Sequence, residues 1–251
     1  MRKPEYEATH RLEDNHWWFV GMRRVTDRLL APYVDGVDRW ERLLDAGCGT
    51  GGNSSWLSRY CRRLVSMDIS PVALSLFQAR GTGELLQASA AWAPFGAESF
   101  DAVTCFDVIS HIPPDDDRRA LDEFYRLLRP GGLLVLRVPA YEWLRSGHDE
   151  VLHTTRRYTA AELTRRLASA GFRVLRLTYA NTILFPVAAA RRLLQKAGLI
   201  GKGTDLVALP AYLDRLFLTA MRTDARLVSN LDLPFGLSVM AIAQKPARKD
   251  A

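Results

Sequence analysis

Two carboxylates and three glycines, set at the ends of two short apolar runs, are the residues of this chain best placed for chemistry. Leu43-Leu44-Asp45-Ala46-Gly47-Cys48-Gly49-Thr50-Gly51 reads as a strand that ends in an acid and then turns through glycines at every second position. Glycine lets the backbone turn sharply and approach a ligand with no Cβ in the way. A helix beginning near Gly52 would direct its unpaired N–H groups toward the same place. Arg63 to Met67 reads as another strand, ending in Asp68, whose carboxylate can accept hydrogen bonds from both hydroxyls of a ribose. Strand, acid, glycines, helix, strand and acid, in that order, describe a nucleotide-shaped site.

Two more clusters carry titratable groups. Phe106-Asp107-Val108-Ile109-Ser110-His111 follows a run that reads as a strand, at the carboxyl end where open α/β sheets place their ligands. His111 titrates near neutral pH and can serve as a base or an orienting donor, or can simply cap the next turn against Asp115. The second cluster is Gly147-His148-Asp149-Glu150-Val151-Leu152-His153-Thr154-Thr155-Arg156-Arg157-Tyr158. There a neutral His148 or His153 can take a proton while Arg156 or Arg157 holds a carboxylate or phosphate. The structural alternative is a loop stitched together by internal ion pairs. Metal binding by His148, Asp149 and His153 is not favoured, because all three come from one short loop.

The elements that must position these groups alternate. Strands are expected at 42–46, 63–67, 85–88, 100–106, 133–138, 172–178 and 237–244, with helices from 52, from Pro71, over 115–128 and from the capping box Thr159/Glu162 to Gly171. Residues 6–34 carry apolar groups at helical spacing around His16-Trp17-Trp18-Phe19 and form a helical cap ahead of the first strand. About 55 residues separate strands six and seven, far more than a hairpin loop needs. Their apolar positions, interleaved with Arg191, Arg192, Arg215, Arg222 and Arg226, predict two or three amphipathic helices. The expected architecture is a Rossmann-like, seven-stranded, doubly wound α/β sheet with an N-terminal helical lid and a helical insertion before the last strand. In domain terms, 1–180 and 235–251 form the core with its cap over 1–38, and 181–234 form the inserted cap.

With 251 residues the chain is long enough for one such domain with additions. A formal charge of +6, from 34 Lys and Arg against 28 Asp and Glu, is scattered in pairs, which suits an anionic small molecule or a membrane surface better than a nucleic-acid track. Cys48, Cys61 and Cys105 form neither a complete disulfide set nor a zinc pattern, so a reducing compartment and buried packing are expected. The first residues lack an apolar run of signal-peptide length, and a cytoplasmic location is expected.

Asp45, Gly47, Gly49 and Gly51 match in full the acid-x-Gly-x-Gly-x-Gly motif of the class I S-adenosylmethionine-dependent methyltransferases, which this chain resembles over roughly residues 40 to 180. A dinucleotide oxidoreductase competes on the glycines alone, with Gly52 as its last glycine. Ser99-Phe100-Asp101-Ala102-Val103-Thr104-Cys105-Phe106 and Leu128-Arg129-Pro130-Gly131-Gly132-Leu133 resemble the methyltransferases' fourth and fifth strand regions and favour that family. The resemblance implies S-adenosylmethionine as cofactor. Its amino-acid end would lie on the glycine turn with Asp45 and Cys48, its ribose on Asp68, and its adenine by Ile69, Ser89 and Ala90, with Phe106 near the reacting end. Ser89 stands where the family often has an acid, and Trp92 either stacks on the adenine or caps the core.

The resemblance further implies methyl transfer, with His111, His148 and His153 as catalytic candidates and Trp18, Arg23, Arg156, Arg157 and Tyr158 as acceptor contacts. The aromatic-arginine opening with the His-Asp-Glu...Arg-Arg-Tyr loop is similar to bacterial methyltransferases near sugar or natural-product pathways, so a small, anionic acceptor is expected. The rivals are a peripheral membrane enzyme acting on a lipid-linked acceptor, and a non-methylating protein that kept the cofactor fold. The insertion suits a dimer interface as well as a lid.

Overall fold

The structure is a computed structural model that describes residues 3–34, 36, 38–80, 83–201 and 209–247, without the side chains of 114, 115 and 148. In chain order the elements are α1 (Lys3–Leu12), α2 (Trp17–Val34), β1 (Trp40–Ala46), α3 (Ser54–Leu57), β2 (Cys61–Asp68), α4 (Pro71–Gln78), β3 (Glu84–Gln87) and β4 (Phe100–Phe106). There follow α5 (Pro114–Leu127), β5 (Leu128–Pro139), α6 (Gly147–Leu152), α7 (Ala160–Ser169), β6 (Arg173–Ala180), α8 (Phe185–Lys196), α9 (Ala211–Val228) and β7 (Ser238–Gln244). The strands form one sheet in the order β3-β2-β1-β4-β5-β7-β6. Only β7 runs antiparallel to its neighbours.

The middle strands explain this arrangement. Leu43, Leu44 and Ala46 of β1, Ala102, Val103 and Cys105 of β4, and Leu134, Val135, Leu136 and Val138 of β5 are fully buried. Near-continuous apolar runs of this kind require cover on both sheet faces, which crossover helices supply. Strand order reverses between β1 and β4, and ligands of open sheets lie at that crevice, outside the strands' carboxyl ends. The glycine turn, Asp68, Ser89, the turn after β4 and the segment after β5 all leave from this edge.

Three elements differ from expectation. The helix after the glycine turn is a single turn, and its N-cap Asn53 makes no side-chain capping bond. Strand β5 begins five residues early, directly at the end of α5. Gly131 takes a positive φ, and Gly132 packs so that an added Cβ would lie 2.9 Å from the Arg129 carbonyl, which lets the chain enter the sheet with a register shift. The segment read as a loop after β5 contains α6, whose start is fastened where Ser146 N–H donates to Asp149 Oδ2 at 2.8 Å. The capping of α7 is as the sequence indicates, with Glu162 N–H donating to Thr159 Oγ1 at 3.2 Å.

The N-terminal helices and the insertion meet each other. Trp17 N–H donates to Asp214 Oδ1 at 3.1 Å and its ring lies edge-on to Phe217, while one turn later Gly21 abuts Met221, so α2 and α9 run side by side in one direction. Asp224 of α9 is buried and accepts from the amides of Thr182 and Ile183, which anchors the start of the insertion. A Cβ on Gly21 would sit 2.6 Å from Met221 Cβ, a stem atom that cannot swing away. Gly21→Ala should therefore destabilise by about 1–3 kcal/mol despite the better helix propensity of alanine, read as a lower chemical denaturation midpoint; an unchanged or higher midpoint would show that the two helices are not packed this closely.

Candidate active site

The glycine turn is shaped by its surroundings as much as by its own freedom. Gly47, Gly49 and Gly51 all have positive φ. An added Cβ at Gly47 would strike Val108, and at Gly51 would lie 2.7 Å from the Phe77 ring, whereas at Gly49 it would meet only open space. Two of the three glycines are thus required by packing on the inside of the turn, and the third keeps its outer side open to a ligand. Asp68, at the end of β2, braces the turn: its Oδ2 accepts from Gly49 N–H at 2.9 Å and its Oδ1 from Ser70 N–H at 2.8 Å. An ionised carboxylate has about four acceptor positions, so Asp68 keeps capacity for a further donor. Burial is the dominant influence on it and raises its pKa, with the backbone N–H groups working in the opposite direction.

Asp45 is deeper. It is almost fully buried, accepts from Thr104 Oγ1 at 2.9 Å, and burial pushes its carboxyl up to about 7. Beside Asp68 lies Ile69, exposed and able to cover an apolar ring face. Ser89 Oγ accepts from Ala91 N–H at 3.3 Å, and Ala90 is buried behind it. Trp92 is exposed and lies under the Arg119 guanidinium rather than capping the core. Cys48 is buried, and desolvation raises its thiol pKa far above neutrality, as it does for Cys105, pushed up to about 12. Packing accounts for both.

Glu13 and Tyr6 belong to the site although no motif marks them. The segment joining α1 and α2 folds onto the glycine turn, where buried Glu13 accepts from Thr50 Oγ1 at 2.5 Å and from Arg80 at 2.7 Å. Its carboxylate also occupies the space that a Cβ on Gly52 would need. Tyr6 of α1 hydrogen-bonds Ser70 beside Asp68. Arg23, expected at the acceptor, instead donates to the carbonyls of Glu13, Asp14 and Gly52 at 3.0, 3.1 and 3.3 Å, and so fastens this segment to the turn. A carboxylate and an arginine at those spacings carry no sequence signal, because the partners lie in different elements.

The turn after β4 and the segment after β5 are brought together. Thr155 N–H and Oγ1 both donate to the Ser110 carbonyl, at 2.7 and 2.9 Å. The His111 ring faces the His153 carbonyl, its Nδ1 is sealed from solvent without a partner, and burial lowers its pKa, which favours the neutral imidazole. His153 is exposed at a positive φ, and the side chain of His148 lies outside the described residues.

The basic residues of this segment have a use other than the expected substrate contact. Arg157 makes a two-point ion pair with buried Asp149, at 2.8 and 3.1 Å, and donates to the Ala140 carbonyl at 2.9 Å. Arg156 and Arg166 both bond the buried Asp117 carboxylate. Tyr158 is fully buried with its hydroxyl 3.0 Å from Asp117, which corrects its assignment as an acceptor contact: no face of it is open. Internal ion pairs stitch the loop, and what it presents to the crevice is aromatic. Tyr141 stacks on Tyr179 at 5.2 Å, Phe185 lies edge-on to Tyr141 and to Trp143, and Trp143 is tilted against Tyr141. Trp18 of α2 reaches in from the opposite side, over Arg137 of β5. Among the described residues no group of three or more His, Cys, Asp and Glu is arranged to hold a metal ion.

A parallel sheet with a switch point, a glycine turn and an acid on each of the first two strands define a Rossmann-like nucleotide-binding protein. Residues 44–136 match the methyltransferase domain family, and the chain is similar to class I S-adenosylmethionine-dependent methyltransferases. It is 32% identical over 65% of its length to a protein of Mycolicibacterium smegmatis described as a probable S-adenosylmethionine-dependent methyltransferase, and covers 62% of that protein. It is 35% identical over 51% of its length to a demethylmenaquinone methyltransferase of Clavibacter sepedonicus, covering 52% of it. The chain therefore spans only about half to three fifths of these curated relatives. In fold it is similar to the N-methyltransferase NodS of Bradyrhizobium japonicum, with a TM-score of 0.58 and 17% identity, over 94% of this chain and 91% of that one.

Two outcomes follow from the site. Between the unfolded carboxylate value of about 4 and the folded value of about 7 at Asp45, the folded chain holds a proton that the unfolded chain lacks, so stability falls as pH rises through that window. Asp45→Asn should raise the melting temperature more at pH 8 than at pH 5; an equal gain at both would place the carboxyl outside that window. Removing one partner of a buried ion pair costs about 3–5 kcal/mol, so Arg157→Met should lower stability on that scale in calorimetry. A fully stable variant would return Arg157 to the list of acceptor contacts.

Proposed function

We propose that the chain transfers a methyl group from S-adenosylmethionine to a small anionic acceptor. The observation that carries this reading is the turn at Gly49, open where a side chain would be, bracketed by Asp45 and Asp68 at the switch point of the sheet. These residues fit the cofactor. Gly47, Cys48, Gly49 and Gly51 with Asp45 would take its amino-acid end, Asp68 its ribose, and Ile69, Ser89 and Ala90 its adenine, with Phe106 beside the reacting end. When bound, the cofactor supplies an electrophilic methyl carbon. The work left to the protein is alignment, since an in-line displacement gains most from holding the two reactants in register. Trp18 and the aromatic group around Tyr141 exclude water, which strengthens polar contacts within. Where the acceptor must lose a proton, His153, exposed at this edge, is the base within reach.

A second reading, action on a lipid-linked acceptor at a membrane surface, is favoured by the exposed Val187, Leu193, Leu194, Leu199, Tyr212 and Leu216 of the insertion. No described helix is long and apolar enough to cross a membrane. Sedimentation with anionic vesicles tests this reading, and absence of binding removes it. The same apolar face would serve a homodimer, which sedimentation velocity distinguishes.

The first test is calorimetric titration with S-adenosylhomocysteine beside NADH. Saturable binding of the former alone is expected, weakened at least tenfold in Asp68→Ala, while His153→Ala keeps the affinity and slows transfer once an acceptor is found. Binding of NADH alone, or equal affinity in Asp68→Ala and parent, would overturn the cofactor assignment.

A further inference from the structure

We propose that Arg137 is the anion receptor of the acceptor site, its two terminal nitrogens taking the carboxylate or phosphate of the molecule to be methylated. The inference rests on the methyl-transfer reading and supplies the acceptor contact that Arg23, Arg156 and Arg157 do not, since each of those is engaged by carbonyls or carboxylates of the chain itself.

Arg137 lies near the carboxyl end of β5 and is 7% exposed. Its Nε donates to Asp107 Oδ2 at 2.7 Å, and its guanidinium carbon lies over the Trp18 ring at 4.8 Å and over the Phe106 ring at 5.0 Å. Asp107, which it grips, sits at positive φ where the chain leaves β4. Arginine has five N–H donors in a fixed fork. Nε accounts for one; the terminal nitrogens have no acceptor among the described residues, and neither is sealed from solvent. A guanidinium this deeply placed, with most of its donors unpaired, is costly unless a ligand completes it. The partner that matches a planar fork is an anion presenting two oxygens. The two aromatic contacts and the Asp107 bond hold the guanidinium in place before that anion arrives, so little order is lost when it binds.

Position in the sheet selects the acceptor over the cofactor's own carboxylate. The glycine turn, Asp68 and Ser89 follow β1, β2 and β3, all on one side of β4, whereas β5 lies on the other side, with Tyr141 and Trp143 following it. Arg137 therefore starts from the side of β4 opposite the glycine turn and reaches Phe106, at the reacting end.

The test is calorimetric titration of inorganic phosphate into the full chain saturated with S-adenosylhomocysteine, for parent, Arg137→Lys and Arg137→Met, with the S-adenosylhomocysteine titration itself recorded for all three. Saturable phosphate binding is expected in the parent, weakened several-fold in the lysine variant, which keeps the ion pair to Asp107, and at least tenfold in the methionine variant, with cofactor-product affinity within threefold of parent. Phosphate binding absent from the parent, or equal in the parent and both variants, overturns the proposal. So does a loss of S-adenosylhomocysteine affinity with phosphate binding retained, which would put the guanidinium on the cofactor's carboxylate. Failure of the parent to bind S-adenosylhomocysteine removes the methyl-transfer reading instead, and the phosphate titration of the ligand-free chain then still decides whether Arg137 receives an anion. Unfolding curves identify a variant that has failed to fold, and the lysine variant then carries the decision.

Discussion

The bond from Gly49 N–H to the Asp68 carboxylate ties the end of β1 to the end of β2 across the parallel sheet, and the rest of the site depends on it. It fixes a turn in which three residues hold positive φ, a conformation that side chains resist. Packing inside the turn, from Val108 and Phe77, keeps Gly47 and Gly51 free of side chains, and the outward opening at Gly49 is what remains. The turn cannot relax inward, so whatever binds there meets preset amides and an already oriented carboxylate.

Charge burial then couples this turn to the N-terminal segment. Glu13, Arg80, Thr50 and Arg23 form one hydrogen-bonded group that closes the α1–α2 connection over the glycines. Because α2 also packs along α9, the same segment links the cofactor half of the crevice to the insertion before β7. The N-terminal helices thus touch both the turn and α9 of the insertion.

On the other half of the crevice, polar residues hold and aromatic residues face the ligand. Asp149, Asp117 and Glu162 absorb Arg157, Arg156 and Arg166, so the titratable segment after β5 is chiefly a brace. The brace carries the Tyr141 and Trp143 rings, with Tyr141 stacked on Tyr179, and lies against the His111 ring.

The positions of the strands along the chain and the glycine turn were legible in the sequence, because both rest on local signals: short β-type runs with apolar residues, glycines at alternate positions and acids at strand ends. The capping of α7 and the presence of helices in the insertion were legible for the same reason. The early start of β5 and the one-turn α3 were not, since each depends on a register shift or a missing cap that only neighbouring strands and loops decide. The roles of the arginines were least legible. An arginine's chemistry is identical in a loop, a brace or a receptor, and its use is set by which carboxylate lies within about 3 Å after the chain has folded. The sequence by itself therefore determined the class of site and its cofactor half. Only the tertiary structure decided that Arg23, Arg156 and Arg157 bind the chain to itself while Arg137, carried on an otherwise apolar strand, keeps its terminal nitrogens open, because that choice is made by burial and by partners distant in sequence.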